Sequence, residues 1–345
     1  MRTRPIPLIC RPWVHNHFGI SEGKQQSIKQ TLTFKPFVPL SIRTERMSSD
    51  FSESFLSLWE KLQQKMPPIE KQLIHANKLE VVHGSLVETF GEPFSIFTKY
   101  VKVFDLYFVA TETSDDLKVL HGASVLYQYL DNNDDGKPDN ETIYQKLIEV
   151  KALMVMFADE KEMDKNEHIL EQIDDLGFTL QDLEADETRP GSTHPEYFDA
   201  SLEECFHMVT VGYNEAYPEI FGTKRGSKIA DAMDKARGGY FPKIPKQYPS
   251  SAWFSYYDET CEYCDCMIVE YMYWLKTSIL GAQAFRAEQI DDEWRCPTCD
   301  SVQEIDPDGY ALMTDPQYKF ATVCPVKLDR IPTFVPPPKK DCILL

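Results

Sequence analysis

YVKVFDLYFVA, residues 100–110, is the stretch from which the fold can be read. Its valines and aromatic residues favour an extended strand, because such side chains pack well on a pleated surface. A helix follows it. Ser114 or Asp115 offers an N-cap oxygen, and Leu117, Leu120, Val125 and Leu130 recur at helical spacing. The chain then crosses an Asp-rich loop from Asp131 to Asn140, and helical periodicity resumes from Thr142 to Val150. Ala152-Leu-Met-Val-Met-Phe157 is a continuous apolar run of strand length, the pattern of a strand buried on both faces. This order of strand, helix, loop, helix and strand predicts a domain of α+β class. It is helix-rich with a small sheet, and carries a calcium-type loop between two helices.

Working outward, Phe51, Phe55, Leu56, Trp59 and Leu62 mark a further helix, ended by Pro67-Pro68. Residues 158–188 carry twelve acids against Lys161 and Lys165. They read as a solvated block with one short amphipathic helix through Ile169, Ile173 and Leu176. Gly238-Gly239 and the prolines from Pro242 to Pro249 punctuate an extended connection, and Ile268 to Gln283 reads as a long buried helix. After Trp294 the chain turns Cys-, Pro- and Asp-rich. The expected organisation is a basic disordered tail over 1–50, a main domain over 51–295, and an extension over 296–345.

The formal charge of −19 argues against a nucleic-acid partner, which needs a basic face to displace counterions, and suits cations. No apolar run approaches the length of about 18 residues that a membrane span needs. Residues 1–47 hold eight Lys/Arg against Glu22 and Glu45, so the remainder sits near −25. This head has no apolar core of a secretory signal; a disordered tail is expected, a transit peptide is the alternative, and Met47 offers a second start. A cytoplasmic location follows, although Asn140-Glu-Thr142 is a glycosylation sequon that would matter in a secreted chain.

Asp131, Asn133, Asp135, Gly136 and Asp139 fall at positions 1, 3, 5, 6 and 9 of a loop that resembles the EF-hand calcium loop, with the Lys137 carbonyl at position 7. A hard cation takes six to eight oxygens, and alternate side chains of a tight loop converge on one point. Pro138 and Thr142 depart from the usual apolar residue and bidentate Glu at positions 8 and 12. A solvated turn is the simpler reading of the same residues.

Asp199-Ala-Ser-Leu-Glu-Glu-Cys-Phe-His207 opens a helix on which Glu203 and His207 are i, i+4 neighbours. The cluster resembles the zincin metallopeptidase motif, with Glu203 standing where that family has its first His. The resemblance implies Glu204 as general base, His207 as zinc ligand and, as in the glutamate-type zincins, a Glu from a later helix, for which Glu270 is the candidate. Glu204 and His207 also have the i, i+3 spacing of di-iron carboxylate bundles, but those need it twice and no second Glu-x-x-His appears on a comparable helix. Local chemistry offers another account: Ser201-x-x-Glu204 is a capping box, and Glu203 complements the helix dipole.

Nine cysteines include Cys261-x-x-Cys264 and Cys296-x-x-Cys299, spaced to place paired thiolates on a structural zinc, with disulfides or free thiols as alternatives. Cys342-Ile-Leu-Leu345 matches a prenylation box, which would give peripheral membrane contact. Two functions stand side by side. One is a calcium-binding, zincin-like metalloprotein, a metal-dependent hydrolase of peptidase type. The other is a non-catalytic calcium-binding protein whose Glu-Glu-x-x-His stretch only caps a helix, with Trp253 to Tyr257 as packing or a partner surface.

Overall fold

The structure is a computed structural model that describes residues 79–190, 198–258, 261, 263–264 and 266–326. The helix expected over Phe51–Lys65, the basic tail and the prenylation box with Cys342 lie outside them.

The described elements are β1 (Val82–His83), α1 (Val87–Phe90), β2 (Phe97–Val103), β3 (Leu106–Thr111), α2 (Asp116–Leu130), α3 (Glu141–Glu149), β4 (Ala152–Phe157), α4 (Glu160–Asp175) and β5 (Thr179–Glu184). They continue as α5 (Ser201–Ala216), α6 (Pro218–Phe221), α7 (Lys228–Ala236), α8 (Cys266–Ile279), α9 (Cys299–Ile305) and α10 (Pro307–Thr314). The sheet runs β1-β2-β3-β4-β5; β1 to β3 pair antiparallel, while β4 and β5 continue in parallel. The fold is of α+β class, as the sequence predicts.

Residues 100–110 form a hairpin rather than one strand. Phe104 takes a positive φ of 55° and, with Asp105, turns β2 back as β3. Alternation along the strands then divides the interior in two. Phe108, Ala110, Met154, Met156 and Leu183 face the larger core, while Val109, Leu153, Val155, Phe157 and Leu180 face a smaller one with Leu170 and Ile173 of α4. β4 is buried at every position, which is why its sequence is apolar throughout.

The acidic block over 158–188 is a correction. Besides α4 it contains β5, whose Gln181, Asp182 and Glu184 are buried. Acid count hid this strand because its polar side chains make contacts that only the fold supplies. The expected boundary at residue 296 is a second correction: Val302, Met313, Tyr318, Phe320 and Ala321 belong to the larger core. Phe320 stacks on Tyr213 of α5 with ring centroids 3.9 Å apart.

Two helices of that core position the site. α8 ends at Ile279, shorter than the expected run to Gln283, because Gly281 turns the chain with φ 81°. α5 is buried along most of its length and packs closely on α3. A Cβ on Gly212 would stand 2.8 Å from the Ile143 carbonyl oxygen, so glycine sets the spacing of these helices. From the aromatic stretch, Phe254 and Tyr256 are buried, and Phe254 bridges to Trp294, while Tyr257 stays exposed. That stretch is mostly packing.

Candidate metal centre

Helices α5 and α8 cross the core side by side, and their few polar positions meet. Glu203 and His207 of α5 and Glu270 of α8 bring one ligand atom each within 4.8 Å of one another. Among the described residues this is the group of three His, Cys, Asp or Glu side chains that does so. Nε2 of His207 lies 3.7 Å from Oε1 of Glu270. Tetrahedral ligands about 2.0–2.1 Å from zinc lie about 3.3 Å apart, so a small closure of the group would seat an ion.

The protonation chemistry of the group suits a cation. His207 is 1 % exposed, and neither ring nitrogen has a hydrogen-bond partner among the described residues. Burial pulls its pKa down to about 3, which leaves a neutral imidazole with a lone pair, the form that binds metal. Glu203 has its pKa pushed up to about 7, chiefly by burial. Arg286 pulls it back, and hydrogen bonds with Tyr273 and Glu270 act in the same direction. Glu203 and Glu270 are thus two facing carboxyls joined by a hydrogen bond, a pair that a divalent ion could bridge. Gln283 supports the arrangement by donating to the Tyr273 hydroxyl at 3.0 Å. Orphaned imidazole nitrogens beside two carboxyls fit a borderline first-row ion of the zinc class.

Glu204 stands apart from the ligand group. Its Oε2 accepts from Gln181 Nε2 at 2.5 Å and stands 3.4 Å from Nδ1 of His207, the ring nitrogen away from Glu270. It lies outside the ligand group, and burial with neighbouring acids holds its carboxyl well above the usual range. Glu204 lies on the Nδ1 side of the imidazole without a hydrogen bond to it, the side on which a carboxylate or carbonyl would support a metal-bound histidine.

The capping box also gives way. Ala200 is the N-cap of α5 and makes no side-chain cap. Ser201 Oγ instead donates to Asp199 Oδ1 at 2.6 Å, and the Ser201 amide reaches the same oxygen at 3.2 Å. His121 Nε2 holds the other oxygen of Asp199 at 2.6 Å. Asp199 therefore secures this helix start, and capping does not account for Glu204.

The Asp-rich loop joins α2 to α3 as expected. Asp131 is fully buried; its carboxylate accepts from the Tyr127 hydroxyl at 2.7 Å, the Gly136 amide at 2.8 Å and the Asp135 amide at 3.1 Å. Asn133 Oδ1 accepts from the Asp135 amide, Asp135 from the Lys137 amide, and Asp139 from the Asn132 amide and the Asn133 side chain. Gly136 takes φ 87°, the sharp turn for which glycine was expected. The carboxylates of Asp131, Asp135 and Asp139 do not converge as the α5–α8 group does. Asn140 caps α3 and is 6 % exposed, with its Nδ2 donating to the Tyr318 carbonyl at 2.7 Å. The sequon asparagine is therefore occupied inside the fold.

The four-cysteine zinc site is corrected as well. Cys261 forms a disulfide with Cys266 across a Cα–Cα distance of 5.2 Å, so it has no thiolate to offer. Cys264 is exposed, Cys296 is buried, and Cys299 starts α9. The signal missed was Cys266, which follows so closely that the pairing of Cys261 with Cys264 was not the sole local choice.

The structure brings together Glu203, His207 and Glu270, the three residues expected from sequence, and adds Gln181, Tyr273 and Arg286 around them, which sequence did not single out. Gln181 lay within the block read as solvated, and Tyr273 within a helix read as packing. Arg286 had a faint signal, a lone cation in the run Gly281-Ala-Gln-Ala-Phe-Arg286. No family model matches the chain, and neither the curated proteins nor the solved structures yield a match.

Among the described residues, no helix is long and apolar enough to cross a membrane.

Proposed function

We propose that this chain is a metalloprotein that holds one zinc-class ion through Glu203, His207 and Glu270 and one calcium ion through the Asp131–Asp139 loop. One observation carries the first part: a buried histidine with neither ring nitrogen hydrogen-bonded brings a ligand atom within 4.8 Å of those of two carboxyls, Glu203 and Glu270. Buried polar atoms normally find partners, so an orphaned imidazole asks for one. The calcium part rests on the spacing of Asp131, Asn133, Asp135, the Lys137 carbonyl and Asp139, and on the turn at Gly136.

Three protein ligands leave a coordination position open, and a bound ion there would supply a polarised water for hydrolysis. Within that zincin-like reading, His207 binds through Nε2 and Glu204 orients the ring from the Nδ1 side. Glu203 keeps part of its surface open, the side from which a substrate could approach. The non-catalytic reading draws on the placement of Glu204, which leaves the site without the base that a zincin uses.

Elemental analysis of purified full-length protein tests the assignment. Wild type should carry zinc or a similar ion near one per chain, and His207→Ala should lose it. A wild type without such an ion, or an ion retained by His207→Ala, defeats the reading. Peptide and ester hydrolysis by the metal-loaded protein then decides between the hydrolase and the binding protein.

A further inference from the structure

Arg286 closes the short 3-10 turn Ala284–Arg286 and is 5 % exposed. Its guanidinium carbon lies 4.3 Å from the centre of the Phe198 ring and 5.7 Å from that of Trp274. These rings fix the plane of the group and the directions of its N–H bonds. Nε and Nη1 nevertheless have no hydrogen-bond partner among the described residues. A buried guanidinium with idle donors is costly, so such a group usually serves a ligand or a switch.

Its position says which ligand. The Phe198 ring under Arg286 meets the Tyr273 ring edge-on, with centroids 6.4 Å apart, and Tyr273 meets the His207 ring at 5.8 Å, so Arg286 lies along a chain of aromatic contacts that ends at the ligand group. The neighbouring Glu293 accepts from Trp274 Nε1 at 2.9 Å through Oε1 and makes no hydrogen bond to Nε or Nη1 of Arg286. Two carboxylate ligands balance a divalent ion, and Arg286 then remains as a positive charge held next to a Lewis acid. We propose that Arg286 is the recognition group for a ligand bearing an oxyanion, carboxylate or phosphate, that binds beside the ion held by Glu203, His207 and Glu270. This rests on the metal assignment above and adds the substrate class. A planar fork of donors matches an oxyanion in a way a lysine ammonium does not.

The test is isothermal titration of full-length protein, freed of excess metal after zinc loading, with acetate, succinate and inorganic phosphate. Wild type, Arg286→Met and Arg286→Lys are compared, with zinc content measured in each. At least one anion should bind wild type, and Arg286→Met should bind it at least tenfold more weakly with unchanged zinc content. Arg286→Lys should not restore the affinity. The anion that binds identifies the source of the oxyanion. Binding by Arg286→Met within twofold of wild type, or no anion bound by zinc-loaded wild type, overturns the proposal. If Arg286→Met does not fold, Arg286→Lys decides: affinity equal to wild type overturns the fork, and a tenfold loss supports it. A wild type that takes up no zinc defeats the metal assignment itself, a different result from zinc bound without an anion.

Discussion

Nε2 of His207 stands 3.7 Å from Oε1 of Glu270, while Nδ1 of the same ring stands 3.4 Å from Oε2 of Glu204. The imidazole therefore lies between two acids, one beside each ring nitrogen. One belongs to a ligand group with Glu203, and the other, tied to Gln181 of β5, sits behind the ring.

Glu204→Gln should weaken zinc binding about 10–100-fold without abolishing it, since that is the usual cost of losing a group behind a metal-bound histidine. Competition against a chromophoric chelator measures this. If affinity is unchanged while hydrolysis is lost, Glu204 is a base after all.

Calcium should raise the melting temperature of the wild type. At 100 times the dissociation constant, binding adds about 2.7 kcal/mol. Asp131→Ala should abolish that rise. It should also lower stability without calcium by about 1–3 kcal/mol, because the Tyr127 hydroxyl and the Gly136 amide lose their acceptor. Scanning calorimetry with and without calcium reads both effects; a calcium-dependent rise surviving in Asp131→Ala removes the site.

Lys276 gives the clearest pH signature away from the metal group. It is 1 % exposed, donates to the Met313 carbonyl at 3.2 Å, and burial pulls its pKa down to about 7. Between about 7 and the ordinary value of 10.5 the unfolded chain holds a proton that the folded chain lacks. Stability from this group therefore rises with pH across that window and is lost as pH falls toward 7. Other groups titrate in the same range, so the informative quantity is a difference. Urea unfolding at pH 7 and pH 9 should show a rise in stability of wild type, relative to Lys276→Met, on the order of a few kcal/mol. An unchanged difference between the two pH values would contradict the buried neutral amine.

Much of the fold is legible because its signals are local. The six-residue apolar run of β4 has no soluble alternative, and Asp115 marks the start of α2 by accepting from the Leu117 amide. Where two structures share a composition, legibility fails. Tyr100 to Ala110 has strand propensity throughout, and nothing in propensity alone announces the turn at Phe104. Strand β5 failed for the opposite reason: its buried Gln181, Asp182 and Glu184 look solvated until a neighbouring helix supplies their surroundings.

The sequence by itself determined the α+β class, the helix–loop–helix around Asp131, and the helical pairing of Glu203 with His207. These follow from periodicity, turn chemistry and covalent spacing, which act within a few residues. Tertiary structure alone decided that Glu270 joins that pair, that Glu204 approaches the other nitrogen of the imidazole, that Cys261 bonds Cys266, and that two nitrogens of the buried Arg286 lack hydrogen-bond partners. The reason is physical. Ligand geometry and burial depend on how α5 and α8 pack, and that packing is set by the whole core rather than by any one segment.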